Sequence, residues 1–140
     1  MDSITQAVLG AAIGQSMLGH KTQKKGVLLG ATIATIPDLD VILYLFYDSY
    51  EMLSIHRGIS HSILFSLIGA FLIAYFLSKW KWTKNISFLY LLFFSWLCLI
   101  THVLLDSFTA YGTQLFLPFS NNRVSFDSIN VVDPLYTMPL

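Results

Sequence analysis

The sequence predicts an all-helical membrane protein of about four spans, with the second helix broken and an irregular tail. Three observations carry that expectation. Hydrophobic residues make up 55% of the 140-residue chain and charged residues only 11%, against roughly 25% charged in an ordinary soluble domain. Four long stretches are almost free of charge. The lysines fall in two short clusters between those stretches. The same figures exclude a disordered chain, a basic nucleic-acid binder and a disulfide scaffold. Cys98, the single cysteine, sits inside an apolar run and reads as packing.

The first expected helix covers residues 3–19, with Gln6, Gln15 and Ser16 as its main polar members. The second covers 26–47 and is apolar except for Pro37-Asp38-Leu39-Asp40 near its middle. The third covers 61–78, and the fourth, 86–105, carries His102. About 20 residues are needed to cross ~30 Å of hydrocarbon, with a range of about 17–25, so the fourth meets the length outright. The first and third reach it with flanking residues. The N-terminus has Asp2 and no basic region, so no signal peptide is expected. Gly10 and Gly14 on the first helix, and Gly26, Gly30 and Ala34 on the second, repeat every four positions. Small stripes of this kind let membrane helices approach closely.

Lys21, Lys24 and Lys25 lie between helices one and two, and Lys79, Lys81 and Lys84 between helices three and four. Positive loops stay cytoplasmic. That rule puts the 48–60 loop, the N-terminus and everything after Leu105 outside, in a multi-pass bacterial inner-membrane arrangement. Residues 106–140, rich in aromatics and turn formers such as Pro118, Asn121 and Pro134, read as an interfacial external segment. The whole is expected as one integral-membrane domain. It ends without a polar tail, which fits either a fragment or the short form of a longer design.

Against this background the acids are anomalous. A charge at the bilayer centre costs roughly 2.5–3.5 kcal/mol on insertion scales, yet Asp38 and Asp40 interrupt the second apolar segment and Asp106 closes the fourth. Pro37 removes a backbone donor and disfavours helix at the residue before it, so the second helix is expected to break there. On the expected topology Asp38, Asp40, His56, His61, His102 and Asp106 all fall toward the external leaflet. His102 and Asp106 are four apart and share a helix face. His56 and His61 flank a glycine turn, and Asp38 and Asp40 face each other only in non-helical backbone.

Imidazole with carboxylate suits Zn²⁺ best, with Mn²⁺ or Fe²⁺ as alternatives, as one or two ions. The expected metal ligands are therefore Asp38, Asp40, His56, His61, His102 and Asp106. Each element also has a plainer reading: an Asp-x-Asp after proline serves as a cap or turn, and His56 and Arg57 suit lipid headgroups. Gln6 is either a hydrogen-bond donor into the site or structural, and Asp133 either a seventh ligand or a turn residue. His20 reads as a loop residue.

Met1-Asp2-Ser3-Ile4-Thr5, Pro37-Asp38-Leu39-Asp40, His56-Arg57-Gly58-Ile59-Ser60-His61-Ser62, His102-Val103-Leu104-Leu105-Asp106, Tyr111-Gly112-Thr113 and Val132-Asp133-Pro134 occur in this order. In that combination the chain resembles the bacterial membrane-bound metal-dependent hydrolases, one group of which is tied to the DNA-damage response. The resemblance spans nearly the whole chain and implies a polytopic inner-membrane protein with a His/Asp metal site at the six residues named above. Gln6 departs from the histidine common at that position.

The function expected is metal-dependent hydrolysis of an amphiphilic, phosphate-containing substrate at the outer leaflet. Asp38 or Asp40 would act as general base and Arg57 would clamp an anionic group. Membrane lipids and a small-molecule or lipid substrate are the expected partners, with no nucleic acid. The alternative is a non-catalytic metal-binding protein or small cation transporter, for which a proline-broken helix is also suited. A Pro-Ser-Gly-His phosphatase motif, an H-E-x-x-H motif and a Walker motif are absent.

Overall fold

The computed structural model describes residues 2–45 and 58–130. Four α-helices form its frame: α1 (Ser3–Thr22), α2 (Lys24–Ala34), α3 (Ile63–Lys79) and α4 (Phe88–Ser107). A 3-10 stretch, Ile36–Leu45, follows α2, and a 3-10 turn, Ile59–His61, precedes α3. No strand occurs among the described residues; after α4 the chain runs through turns and two isolated bridges, Thr109 to Ile129 and Thr113 to Val124.

Local chemistry sets the ends of these helices. The Asp2 side chain caps α1 by accepting from the Thr5 N–H at 2.9 Å and from Thr5 Oγ1 at 2.7 Å. Partial burial works against the Asp2 charge, but the Thr5 donors outweigh it and hold the carboxyl below the usual carboxylate range. Ser62 caps α3 in the same manner, accepting from the Phe65 N–H at 3.1 Å.

Gln23 alone joins α1 to α2, with φ at 54°, a tighter joint than the loop expected between residues 19 and 26. The helix expected over 26–47 is instead an 11-residue α-helix followed by 3-10 backbone. The break comes where Pro37 disfavours α geometry at Ile36 and withholds its own donor.

The small-residue stripe is where α1 and α2 meet. A Cβ added to Gly10 would land on the Gly30 carbonyl and the Ala34 Cβ, and one added to Gly14 would land on the Gly26 carbonyl. The helices therefore pack backbone to backbone and antiparallel. α3 and α4 form a second antiparallel pair, with Ala70, Ala74, Leu91, Phe94, Cys98 and Leu99 in the shared core. Tyr90 Oη donates to the Met17 carbonyl at 2.7 Å and ties the two pairs together.

Among the described residues, α4 is the one helix both long and apolar enough to cross a membrane. α3 is apolar but stops at 17 residues, and α2 is shorter still. Four spans therefore remain an expectation. The outward surface fits lipid: Leu67, Ile68, Phe71, Leu72 and Phe76 on α3, and Leu89 and Phe93 on α4, are exposed. A soluble monomer rarely shows so continuous an apolar face.

The two antiparallel pairs create two chemically different ends. α1 and α3 begin, and α2 and α4 finish, at the end that gathers Asp38, His61, His102 and Asp106. The lysines are gathered at the opposite end, where Lys25 Nζ lies 4.7 Å from the Trp82 ring centre and Lys21 Nζ 5.2 Å from that of Tyr90.

Candidate metal centre

Three chain segments deliver four polar residues to the same point. The break after α2 turns Asp38 inward, and the 3-10 turn before α3 places His61. One face of α4 carries both His102 and Asp106, because residues four apart stack on a helix. One ligand atom from each of these four residues lies within 4.8 Å of all the others. His61, His102 and Asp106 are buried, and Asp38 is half-buried.

The distances are short throughout. The Nε2 atoms of His61 and His102 stand 3.2 Å apart. Asp38 Oδ1 is 3.3 Å from His102 Nε2 and 3.6 Å from His61 Nε2. Asp106 Oδ2 is 3.3 Å from His61 Nε2 and 3.9 Å from His102 Nε2.

The hydrogen bonds around the two rings assign their tautomers. His102 Nδ1 lies 2.5 Å from the Ala34 carbonyl oxygen. A carbonyl only accepts, so this nitrogen carries the hydrogen. Ser60 Oγ donates its one hydrogen to Asp40 Oδ2 at 2.9 Å. Its oxygen therefore accepts from His61 Nδ1 at 3.0 Å. With both Nδ1 atoms protonated, a neutral ring turns a lone pair at Nε2 toward the centre. Two nitrogen lone pairs and two carboxylate oxygens thus converge on one buried volume. With both carboxylates ionised the cluster carries two negative charges, the amount that one divalent cation neutralises. Imidazole whose far N–H is held by a carbonyl or a carboxylate-linked partner is the usual arrangement of a metal-ligating histidine. The donor set fits a divalent ion of the zinc, manganese or iron type.

The flanking residues orient this set. Gln6, buried on α1, donates from Nε2 to Asp106 Oδ1 at 3.2 Å and to the His102 carbonyl at 3.3 Å. It is thus a hydrogen-bond donor into the cluster. Ser3 Oγ donates to Asp38 Oδ2 at 2.7 Å. Asp40 meets the other nitrogen of His61: its Oδ2 lies 3.7 Å from Nδ1.

Of the six expected ligands, the structure therefore brings Asp38, His61, His102 and Asp106 together and sets Asp40 on the outer side of His61. His56, Arg57 and Asp133 lie outside the described residues. Sequence reasoning missed Ser3, Ser60 and the Ala34 carbonyl. Ser3 and Ser60 sit inside motifs already singled out, whereas a backbone carbonyl leaves no signal in a sequence.

Comparison with known proteins places the chain among bacterial membrane proteins. Residues 1–140 match the family described as YdjM inner membrane protein. The chain is 33% identical over 141 residues to YfhP of Bacillus subtilis (strain 168), an alignment covering 96% of this chain and 42% of that protein. It is 27% identical over 122 residues to the inner membrane protein YbcI of Escherichia coli (strain K12), covering 86% of this chain and 69% of that one. The chain thus spans less than half the length of YfhP. No solved structure matches it.

Proposed function

Since the chain belongs to the YdjM inner membrane protein family, we propose that it is a multi-pass membrane protein that holds one divalent metal ion on Asp38, His61, His102 and Asp106. We propose further that this centre faces the extracytoplasmic side and hydrolyses an amphiphilic, phosphate-containing substrate. The observation that carries the reading is the convergence of four acceptor groups, one atom of each within 4.8 Å of all the others, in a largely buried volume. A divalent ion at that point would offset the repulsion between the two carboxylates it joins.

When bound, a divalent ion supplies Lewis acidity toward an ester or phosphoester oxygen. The chain's own residues do the rest. His61 and His102 present Nε2, with Asp40–Ser60 and the Ala34 carbonyl fixing their rings. Gln6 holds Asp106 in place. Asp38 is the ligand with the most open side, its side chain 14% exposed, so substrate approach is expected there. Asp40, 3.7 Å from His61 Nδ1 on the outer side of that ring, is proposed as the general base, acting through His61. The exposed aromatics Phe108, Tyr111, Phe119 and Phe126 of the segment after α4 lie at this end and suit a membrane–water interface, where an amphiphile would lie.

A second reading has its own support. Three of the four ligands are fully buried, and closed sites with complete protein ligation are commonly structural. Elemental analysis of protein purified in mild detergent, joined to a phospholipid-hydrolysis screen, separates the two. Stoichiometric metal with metal-dependent turnover is the expected result. Stoichiometric metal without turnover on any phosphoester lipid assigns the closed-site role, and absence of metal overturns both.

A further inference from the structure

At the end opposite the His/Asp cluster, a cavity of about 320 Å³ opens between the α1–α2 joint and the segment linking α3 to α4. Lys21, Lys25, Lys81 and His20 line it, with the half-buried Trp82 as an apolar wall. Lys25 Nζ sits over the Trp82 ring at 4.7 Å, so the indole braces one ammonium beside the cavity. The charged side chains that line it among the described residues are all of one sign. Residues 3–37 and 62–105 contain all six lysines and not one Asp or Glu. Asp106, the one acid within the four helices, lies at the opposite end, so among the described residues the helices bring no carboxylate to offset three ammonium groups around one concave space. Like charges held this close repel, and the lysine stems could splay into solvent. Two of them are instead drawn onto Tyr90 and Trp82, which keeps the positive charge at the mouth. A concave site lined by several ammonium groups recognises a compact, multiply charged oxyanion.

We propose that this cavity binds a phosphate group, either on an anionic lipid headgroup or as inorganic phosphate. Basic pockets between helices on the cytoplasmic side take lipid phosphates in this way. The site is independent of the metal centre, at the other end of the bundle.

The test uses the full chain in neutral detergent, titrated separately with phosphatidylglycerol, a phosphate-free glycolipid and inorganic phosphate, with tryptophan emission as the readout. Saturation by phosphatidylglycerol alone identifies a lipid site. Saturation by inorganic phosphate as well identifies a site for the free anion. Loss of the signal in Trp82→Phe ties it to the cavity. Each lysine near a lipid phosphate contributes roughly a fivefold change in affinity. Lys25→Gln with Lys81→Gln is therefore expected to weaken binding about 30-fold by the same scale. Lys24→Gln with Lys84→Gln removes equal charge outside the cavity and is expected to change it several-fold less. Should the first pair fail to fold, judged by helix content, Lys21→Gln against Lys84→Gln makes the same comparison. Equal losses from both pairs, an equal response to the glycolipid, or no saturation by either phosphate compound overturns the proposal.

Discussion

Gly10→Ala puts the α1–α2 seam and the metal centre under one test. The added methyl would land on the Gly30 carbonyl and the Ala34 Cβ. Neither is the end of a flexible side chain, so the helices must separate. Overpacking of this kind costs typically 1–3 kcal/mol, and contact with backbone belongs near the top of that range. Alanine returns about 1 kcal/mol through helix propensity. The net expectation is a destabilisation of about 2 kcal/mol. Gly19→Ala is the matched control, because the nearest atoms its methyl would meet, at 3.0–3.2 Å, belong to the far end of the flexible Gln15 side chain. That variant keeps the propensity gain and is expected to be neutral or slightly stabilised.

The seam also reaches the site. Ala34 supplies the carbonyl that holds His102, so moving α2 outward lengthens that bond. Loss of such an outer partner typically weakens metal binding 10–100-fold. Unfolding followed by circular dichroism in mixed micelles, paired with a zinc titration, reads both effects. A Gly10→Ala protein as stable as Gly19→Ala, with unchanged metal affinity, would refute the backbone-to-backbone seam.

Other outcomes follow from the same geometry. His61→Ala and His102→Ala should each abolish stoichiometric metal in the purified protein, as read by elemental analysis. Excess zinc at 100 times its dissociation constant should raise stability by about 2.7 kcal/mol in the unmutated chain and by nothing measurable in His61→Ala. Asp40→Asn should retain metal and helix content but lose turnover once a substrate is in hand; retained turnover removes Asp40 from the chemistry. A thiol introduced by Ser54→Cys should label from outside intact cells and one from Gln23→Cys should not, and the reverse pattern inverts the orientation.

Legibility in the sequence followed the reach of each interaction. The helical class, the Gly10/Gly14 and Gly26/Gly30 seam and the His102/Asp106 pair were readable because each depends on spacing within one segment. The convergence of Asp38 with His61 was readable from the cost of leaving carboxylates in apolar surroundings. The placement of Asp40 was not, since two residues past a proline the side-chain direction depends on whether α or 3-10 backbone resumes. Ser3 meets Asp38 across 35 positions, a distance over which no periodicity carries information. The lengths of α2 and its joint were missed because an apolar run looks the same whether it continues as α-helix or tightens into 3-10.

The bond from His102 to Ala34 carries one more implication. Ala34 is the last residue of α2, and the last carbonyls of a helix have no partner inside it. The histidine therefore finishes one helix while belonging to another, and in the proposed metal site its other ring nitrogen, Nε2, would be left for the ion. Replacement by cysteine would preserve a metal-binding atom but abandon the helix end, leaving a buried acceptor unmet at about 1–3 kcal/mol. Aspartate would add a charge and donate nothing. A neutral imidazole, with a donor on one edge and a nitrogen lone pair on the other, meets both demands and supplies the nitrogen ligand that zinc-type ions favour over an amide oxygen. This position should therefore be far less tolerant of exchange among ligand types than Asp38 on the open side.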